Sequence, residues 1–321
     1  MSRGTKMALI TAVACVMVGL GLLMGGMMMI KWDFKKLSTD SIEENRHVVT
    51  EAFQEISVKT DTAAVRFVLS EDGACRVDCR ERSSEKHAVS VRDGVLTIEK
   101  TDTRGLWDHI GIHFETPQIT LYLPESTYTA LRIQSSTGRV DLPEGFTFGD
   151  VAIQLSTGDV FVGASAEGTM EIRSTTGDIR AEHLTAGALM LSVSTGRVTV
   201  DGVSCGETLS VSATTGNTYL TDVTCQHLRS EGSSGDLVMQ NVVADEEFAI
   251  IRNTGDVRLN GCDAAAIQIR TDTGRVTGSL LTQKVFVTQT DTGRVKVPDT
   301  REGGRCEITT DTGNIEIEIS A

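Results

Sequence analysis

Three triplets in this chain could do acid–base chemistry: Asp272-Thr273-Gly274, Asp291-Thr292-Gly293 and Asp311-Thr312-Gly313. Asp-Thr-Gly is the phrase with which aspartic proteases bring two carboxylates together to share one proton. Here, however, the triplets stand in register with seven further copies of the phrase that carry Ser, Thr or Asn instead of Asp, and Arg275, Arg294 or Asn314 follows them. The aspartates therefore read as corner residues. In a stack they lie beside the arginine column as an exposed charge ladder, each pair worth about 0–1 kcal/mol.

The remaining chemistry-bearing residues are few. Asp159, Asp178, Asp236 and Asp256 each follow a glycine and could gather calcium, but Arg197 and Asn217 interrupt their column. The Gly-Gly-x-Gly-x-Asp core of calcium-binding repeats is absent. Trp107, His109 and His113 form a cluster of aromatics and histidines and make a candidate ligand loop. Histidines four apart on a strand are about 13 Å from each other, too far to share one metal ion. Cys205 and Cys225 each lie nine residues after a glycine, so stacking brings them to about 5 Å, a candidate disulfide. Cys75 and Cys79 sit too far apart along one strand to bridge, and Cys262 and Cys306 read as small inward hydrophobes. No nucleophile elbow, nucleotide loop or zinc spacing is present, so no catalytic residue, metal or cofactor is expected.

The elements that carry these residues are set by the repeat itself. Its glycines, Gly138, Gly158, Gly177, Gly196, Gly216, Gly235, Gly255, Gly274, Gly293 and Gly313, are spaced by 19 or 20 residues, the period of a solenoid. Seven residues before each stand Leu131, Val151, Met170, Leu189, Leu209, Leu228, Phe248, Ile267, Phe286 and Cys306. Two residues after each the apolar series resumes, broken only by Thr218. This alternation predicts about three short strands per period, separated by a Thr-Gly corner and a polar corner. At such a corner glycine supplies φ > 0, and threonine precedes it in nine copies and Ser234 in the tenth, giving a column of hydroxyls. One period cannot bury its apolar face alone, but ten stacked coils make one core about 50 Å long. The fold class is thus all-β, a parallel β-helix or β-solenoid of about ten rungs, with an irregular N-terminal β cap and one preceding transmembrane helix.

Along the chain, 1–6 is a flank, 7–30 a transmembrane helix, 31–50 a polar juxtamembrane tether or short helix, 51–130 the cap and irregular rungs, and 131–321 the regular solenoid. Asp61-Thr62-Ala63-Ala64-Val65 reads as a degenerate copy of the corner. Met7 to Ile30 is uncharged and long enough to cross a bilayer. Gly21 and Gly25 offer a small-residue face for helix pairing. Ile315 to Ala321 leaves a strand edge open to self-association or a partner. The net charge is −14, and the six Lys/Arg and four Asp/Glu of the first fifty residues leave the remainder more acidic still. That balance argues against nucleic acid as a partner.

The run Ile119-Thr120-Leu121-Tyr122-Leu123-Pro124 followed by the series Ser-Ser-Thr-Gly-Arg-Val, Leu-Ser-Thr-Gly-Asp-Val and Ser-Thr-Thr-Gly-Asp-Ile resembles the bacterial putative-adhesin family, over about residues 50 to 321. The resemblance implies a β-solenoid of unknown function, tethered by one helix and placed outside the cell membrane. It carries over no catalytic residues, and the late Asp-Thr-Gly corners depart from its pattern. The function it implies is a non-enzymatic envelope module that binds or scaffolds an unknown protein or glycan. Two alternatives remain open: an accessory or sensory subunit of an envelope-stress system, marked by one membrane partner, and a polysaccharide-processing enzyme, which needs a cleft with converging carboxylates.

Overall fold

The computed structural model describes residues 3–29, 42–83, 85–102 and 116–320. Helix α1 (Arg3–Met29) contains an apolar stretch, Leu9–Met29, with mean hydropathy 2.2, long enough to cross a membrane. The strands of the N-terminal region follow: β1 (Ile42–Val49), β2 (Glu55–Thr60), β3 (Ala64–Leu69), β4 (Cys75–Arg82), β5 (Glu85–Arg92), β6 (Val95–Asp102) and β7 (Gln118–Leu123). The two-strand coils are β8 (Thr127–Thr137) with β9 (Val140–Leu142), β10 (Thr147–Thr157) with β11 (Val160–Val162), and β12 (Ser165–Thr176) with β13 (Ile179–Glu182). Next come β14 (Thr185–Thr195), β15 (Val198–Cys205), β16 (Thr208–Thr215), β17 (Thr218–Ser234), β18 (Leu237–Thr254) and β19 (Val257–Thr273). The chain finishes with β20 (Val276–Leu280), β21 (Lys284–Thr292), β22 (Val295–Lys296), β23 (Gly304–Thr312) and β24 (Ile315–Ile319).

These strands form a β-solenoid of about ten turns. Three short strands per period is corrected to two in the early coils and one bent strand of 17 or 18 residues in β17, β18 and β19. Register shifts at Cys225/His227 and Ala244/Glu247 turn the polar corner while keeping the ladder hydrogen-bonded, as bulges do. Residues 42–49, expected within a helix or tether, instead form β1, which pairs antiparallel with β4 from Ile42↔Arg82 to Val49↔Cys75. Val48 and Val49 end a segment whose alternate residues can lie on a sheet, which a polar tally of the segment conceals.

Both ends of the stack depart from sequence order. Near the start, the β2–β3 coil lies between β6–β7 on one side and β8–β9 on the other, all parallel. Its corner is the degenerate copy: Thr137 N donates to Asp61 O at 2.6 Å, beneath the first regular glycine. At the far end, β23 pairs with both β19 and β21, and β24 pairs with both β20 and β22. The coil that comes last in sequence is therefore second from the end, and β21–β22 is outermost. Of the open edge expected at Ile315 to Ala321, Ile315 and Glu316 are thus covered by β22.

The register supplies a reason for the exchange. Gly304 and Lys284 occupy equivalent places, and the coil resting on β19 meets Ala265 there. A Cβ on Gly304 would lie 1.9 Å from the Ala265 carbonyl oxygen, so glycine fits this place and lysine does not.

The predicted inward file is buried from Leu131 to Ile267 and at Cys306, each large member worth about 1.5–3 kcal/mol. Phe286, in the outermost coil, is only partly covered. At the opposite end Phe53, Tyr128, Phe148, Phe146 and Phe67 form a stair of ring contacts between 5.8 and 6.4 Å that fills the wider cap.

Candidate functional site

Where the residue after a corner glycine is Asp or Asn, it spends its side chain on the adjacent coil. Oδ1 of Asp159 accepts from Asp178 N at 2.9 Å, and Asp178 accepts from Arg197 N at 2.8 Å. Oδ1 of Asn217 and of Asp236 accept from Asp236 N and Asp256 N, both at 3.0 Å. Asp256 accepts from Arg275 N at 2.9 Å and Asn314 from Arg294 N at 3.0 Å. Arg258 braces the column, 2.9 Å from both Asp236 and Asp256. Burial raises the Asp236 pKa, but the Asp256 N–H and the Arg258 guanidinium outweigh it and hold the carboxyl below its usual range. These oxygens form a structural ladder, and among the described residues no group of three or more His, Cys, Asp or Glu is placed to hold a metal. A clue was present in the sequence: Arg197, Arg275 and Arg294 need only a backbone N–H to donate such a bond, so they can follow Asp or Asn in the column.

The Asp-Thr-Gly aspartates lie on the outer corner in the spatial order Asp272, Asp311, Asp291, because the last coil is inserted. The expected pairing with the following arginines is corrected: Arg275 reaches Asp256 at 3.4 Å, and Asp272 instead has Arg270 at 4.0 Å. Cys205 and Cys225 are buried free thiols on adjacent coils, not a disulfide. In-register parallel strands hold equivalent Cβ atoms about 4.8 Å apart, beyond the roughly 3.5–4.5 Å that a bridge requires. Burial pushes these thiols up to about 12 and about 11 respectively. Trp107, His109 and His113 lie outside the described residues. Around Gly21 and Gly25 nothing lies within 4 Å of an added Cβ.

Four strands of the cap converge on a polar relay that no sequence motif announces. Thr60 Oγ1 lies 2.9 Å from His87 Nε2, and His87 Nδ1 lies 2.8 Å from Glu81 Oε2, which also accepts from His87 N at 2.7 Å. Asn45 Nδ2 donates to Glu81 Oε1 at 2.8 Å. Hydroxyl, imidazole and carboxylate follow the order of an acyl-transfer triad. Yet Thr60 and His87 are each 7% exposed and Glu81 1%, so the hydroxyl is enclosed, and the relay pins β1, β2, β4 and β5 together. A groove of about 400 Å³ runs over β1, β4 and β7, with Glu44, Arg46, Asp78, Arg80, Gln118 and Thr120 on its walls. Its Asp78 is engaged by Arg46 at 3.1 Å and Arg76 at 3.4 Å.

Inside the solenoid lies an unexpected cation without a counter-charge among the described residues. Arg252 is 2% exposed, donates from Nη2 to Ser230 Oγ at 2.8 Å, and its Nε has no partner among the described residues. Its guanidinium fills the place of a missing side chain: a Cβ on Gly232 would lie 1.9 Å from Nη1. Burial pushes the group down to about 10. Arg252→Met should leave stability unchanged or raise it by about 1–4 kcal/mol, since an apolar chain of similar length removes the desolvation penalty. Ser230→Ala should instead cost about 1–3 kcal/mol by stripping the cation of its acceptor. Chemical denaturation of the two variants checks both signs.

The Toastrack DUF4097 family model matches residues 53–217 and again 206–321. No curated protein matches the chain. Similar solved structures include a putative adhesin from Bacteroides fragilis NCTC 9343, at 14% identity over 87% of this chain and 97% of that one, with TM-score 0.44. A putative adhesin from Parabacteroides distasonis ATCC 8503 has 12% identity over 87% and 98%, with TM-score 0.48. A putative lipid binding protein from the same organism has 12% identity over 86% and 97%, with TM-score 0.45.

Proposed function

The chain belongs to the Toastrack DUF4097 family, and from that premise we propose that it is a non-enzymatic interaction or scaffold module, anchored in the cell membrane by α1 with its solenoid outside. The observation that carries the reading is the corner ladder: its Asp and Asn side chains are committed to the next coil's backbone. Polar groups of that kind hold a long rigid body in shape, which suits presentation of a surface. The apolar stretch Leu9–Met29 is of the length that anchors such a body.

Alkaline carbonate extraction of cell membranes tests the anchor. The full chain is expected to remain with the membrane with its N-terminal helix intact by mass, and protease added outside spheroplasts is expected to digest the solenoid. Release by carbonate, loss of residues 1–30 from the mature protein, or protection from external protease would each overturn part of the reading. In-membrane photocross-linking should then yield one recurrent protein or glycan adduct.

A further inference from the structure

Among the described residues, the outermost coil leaves the solenoid's repeat unsatisfied along β21. Thr292 O accepts from Gly313 N, and Arg294 O from Ile315 N, both at 2.9 Å. A strand residue turns its N–H and C=O to the same side and its neighbour's to the other. The even-numbered residues of β21 thus face the inserted coil, and Val285, Val287 and Gln289 turn their backbone groups to the open side. Val285 is 37% exposed and Val287 44%, and Phe286 is only partly covered where its counterparts Ile267 and Cys306 are 2% and 0% exposed. From Val285 to Thr290 there is no charge and no proline, whereas β1, at the other end, carries Glu43, Glu44 and Arg46 on its edge.

Charge selects the occupant. In residues 281–303, Lys284 is buried against Asp263, and Arg294, Lys296 and Arg301 balance Asp291, Asp299 and Glu302, which leaves this tip neutral on a chain of net −14. Two copies meet much like-charge repulsion along their acidic sides and least where these tips face each other. Lys296 and Pro298 obstruct pairing along β22, which confines it to β21.

We propose that β21 of one molecule pairs antiparallel with β21 of a second copy about a two-fold axis at Val287, joining two solenoids tip to tip. Val287 exchanges both backbone hydrogen bonds with its equivalent, Val285 stands opposite Gln289, and Phe286 faces Thr288, which closes the two open cores on each other. The paired edge is at the opposite end of the stack from the cap that follows α1. Resting on the membrane-anchored reading above, the pairing joins molecules held in two facing membranes.

The test uses the full chain reconstituted in phosphatidylcholine vesicles, with flotation to read anchoring and light scattering to read vesicle clustering. Vesicles carrying the natural chain or Val287→Ile are expected to cluster, and those carrying Val287→Lys, an exposed position that folding tolerates, are not. Clustering that survives Val287→Lys, or vesicles that carry the chain without clustering, overturns the proposal. Failure to float with vesicles overturns the anchor alone. Sedimentation velocity of the same protein then decides the pairing, a dimer abolished by Val287→Lys sustaining it and a monomer overturning it.

Discussion

Gly216→Ala is expected to cost more than about 4 kcal/mol, near the upper limit for a single substitution, although it adds one methyl group. The residue has φ +137, a conformation that L side chains rarely adopt, and its new Cβ would lie 1.9 Å from the Gly196 carbonyl oxygen of the adjacent coil. Neither strain can be relieved by a rotamer change. Relief requires moving two coils apart, which breaks the ladder on both sides of the corner. Because each coil contacts only its neighbours, the damage should divide the stack, so that denaturation shows two transitions in place of one. Gly206→Ala is the control: its Cβ would meet nothing nearer than 3.7 Å, and its effect should stay within about 0.5 kcal/mol. Denaturation curves of the two variants would refute the account if they matched.

That contrast marks how far the sequence could be read. The spacing of the corner glycines and the period-2 apolar files are properties of the string, and they lead directly to stacked coils. The reason for glycine was only half legible. Freedom of φ holds at Gly216, but Gly274 has no such φ and still needs glycine, because its Cβ would lie 2.0 Å from the Gly255 carbonyl oxygen. Closeness of coils is a property of the stack and appears only once neighbours are known. The relay of Thr60, Glu81 and His87 was illegible for a related reason: its members come from separate strands and share no spacing. The order of the last coils was hidden too. Phe286 and Cys306 carry the same repeat phase, and only the fit of Gly304 beside Ala265 separates them.

The inserted coil leads to the second large effect. Lys284 Nζ lies 2.6 Å from Asp263 Oδ1, with the two side chains 3% and 13% exposed, so the pair reaches from β21 past the inserted β23 to β19. Lys284 also donates to Thr282 Oγ1 at 2.6 Å, and its carbonyl accepts from Thr300 Oγ1. Asp263→Ala leaves a buried ammonium without its counter-charge and should cost about 3–5 kcal/mol. Lys284→Met should cost less, because its partner carboxylate is the more exposed of the two and retains the Ala264 N–H at 2.9 Å. The double variant should recover part of the loss, which a double-mutant cycle measures as coupling. The damage has a predicted location as well as a size. Hydrogen exchange in Asp263→Ala should accelerate across residues 281–319 and leave the coils before Leu237 protected, because a solenoid loosens from its ends. Uniform loss of protection, or none, would show that the ion pair does not clasp the inserted coil.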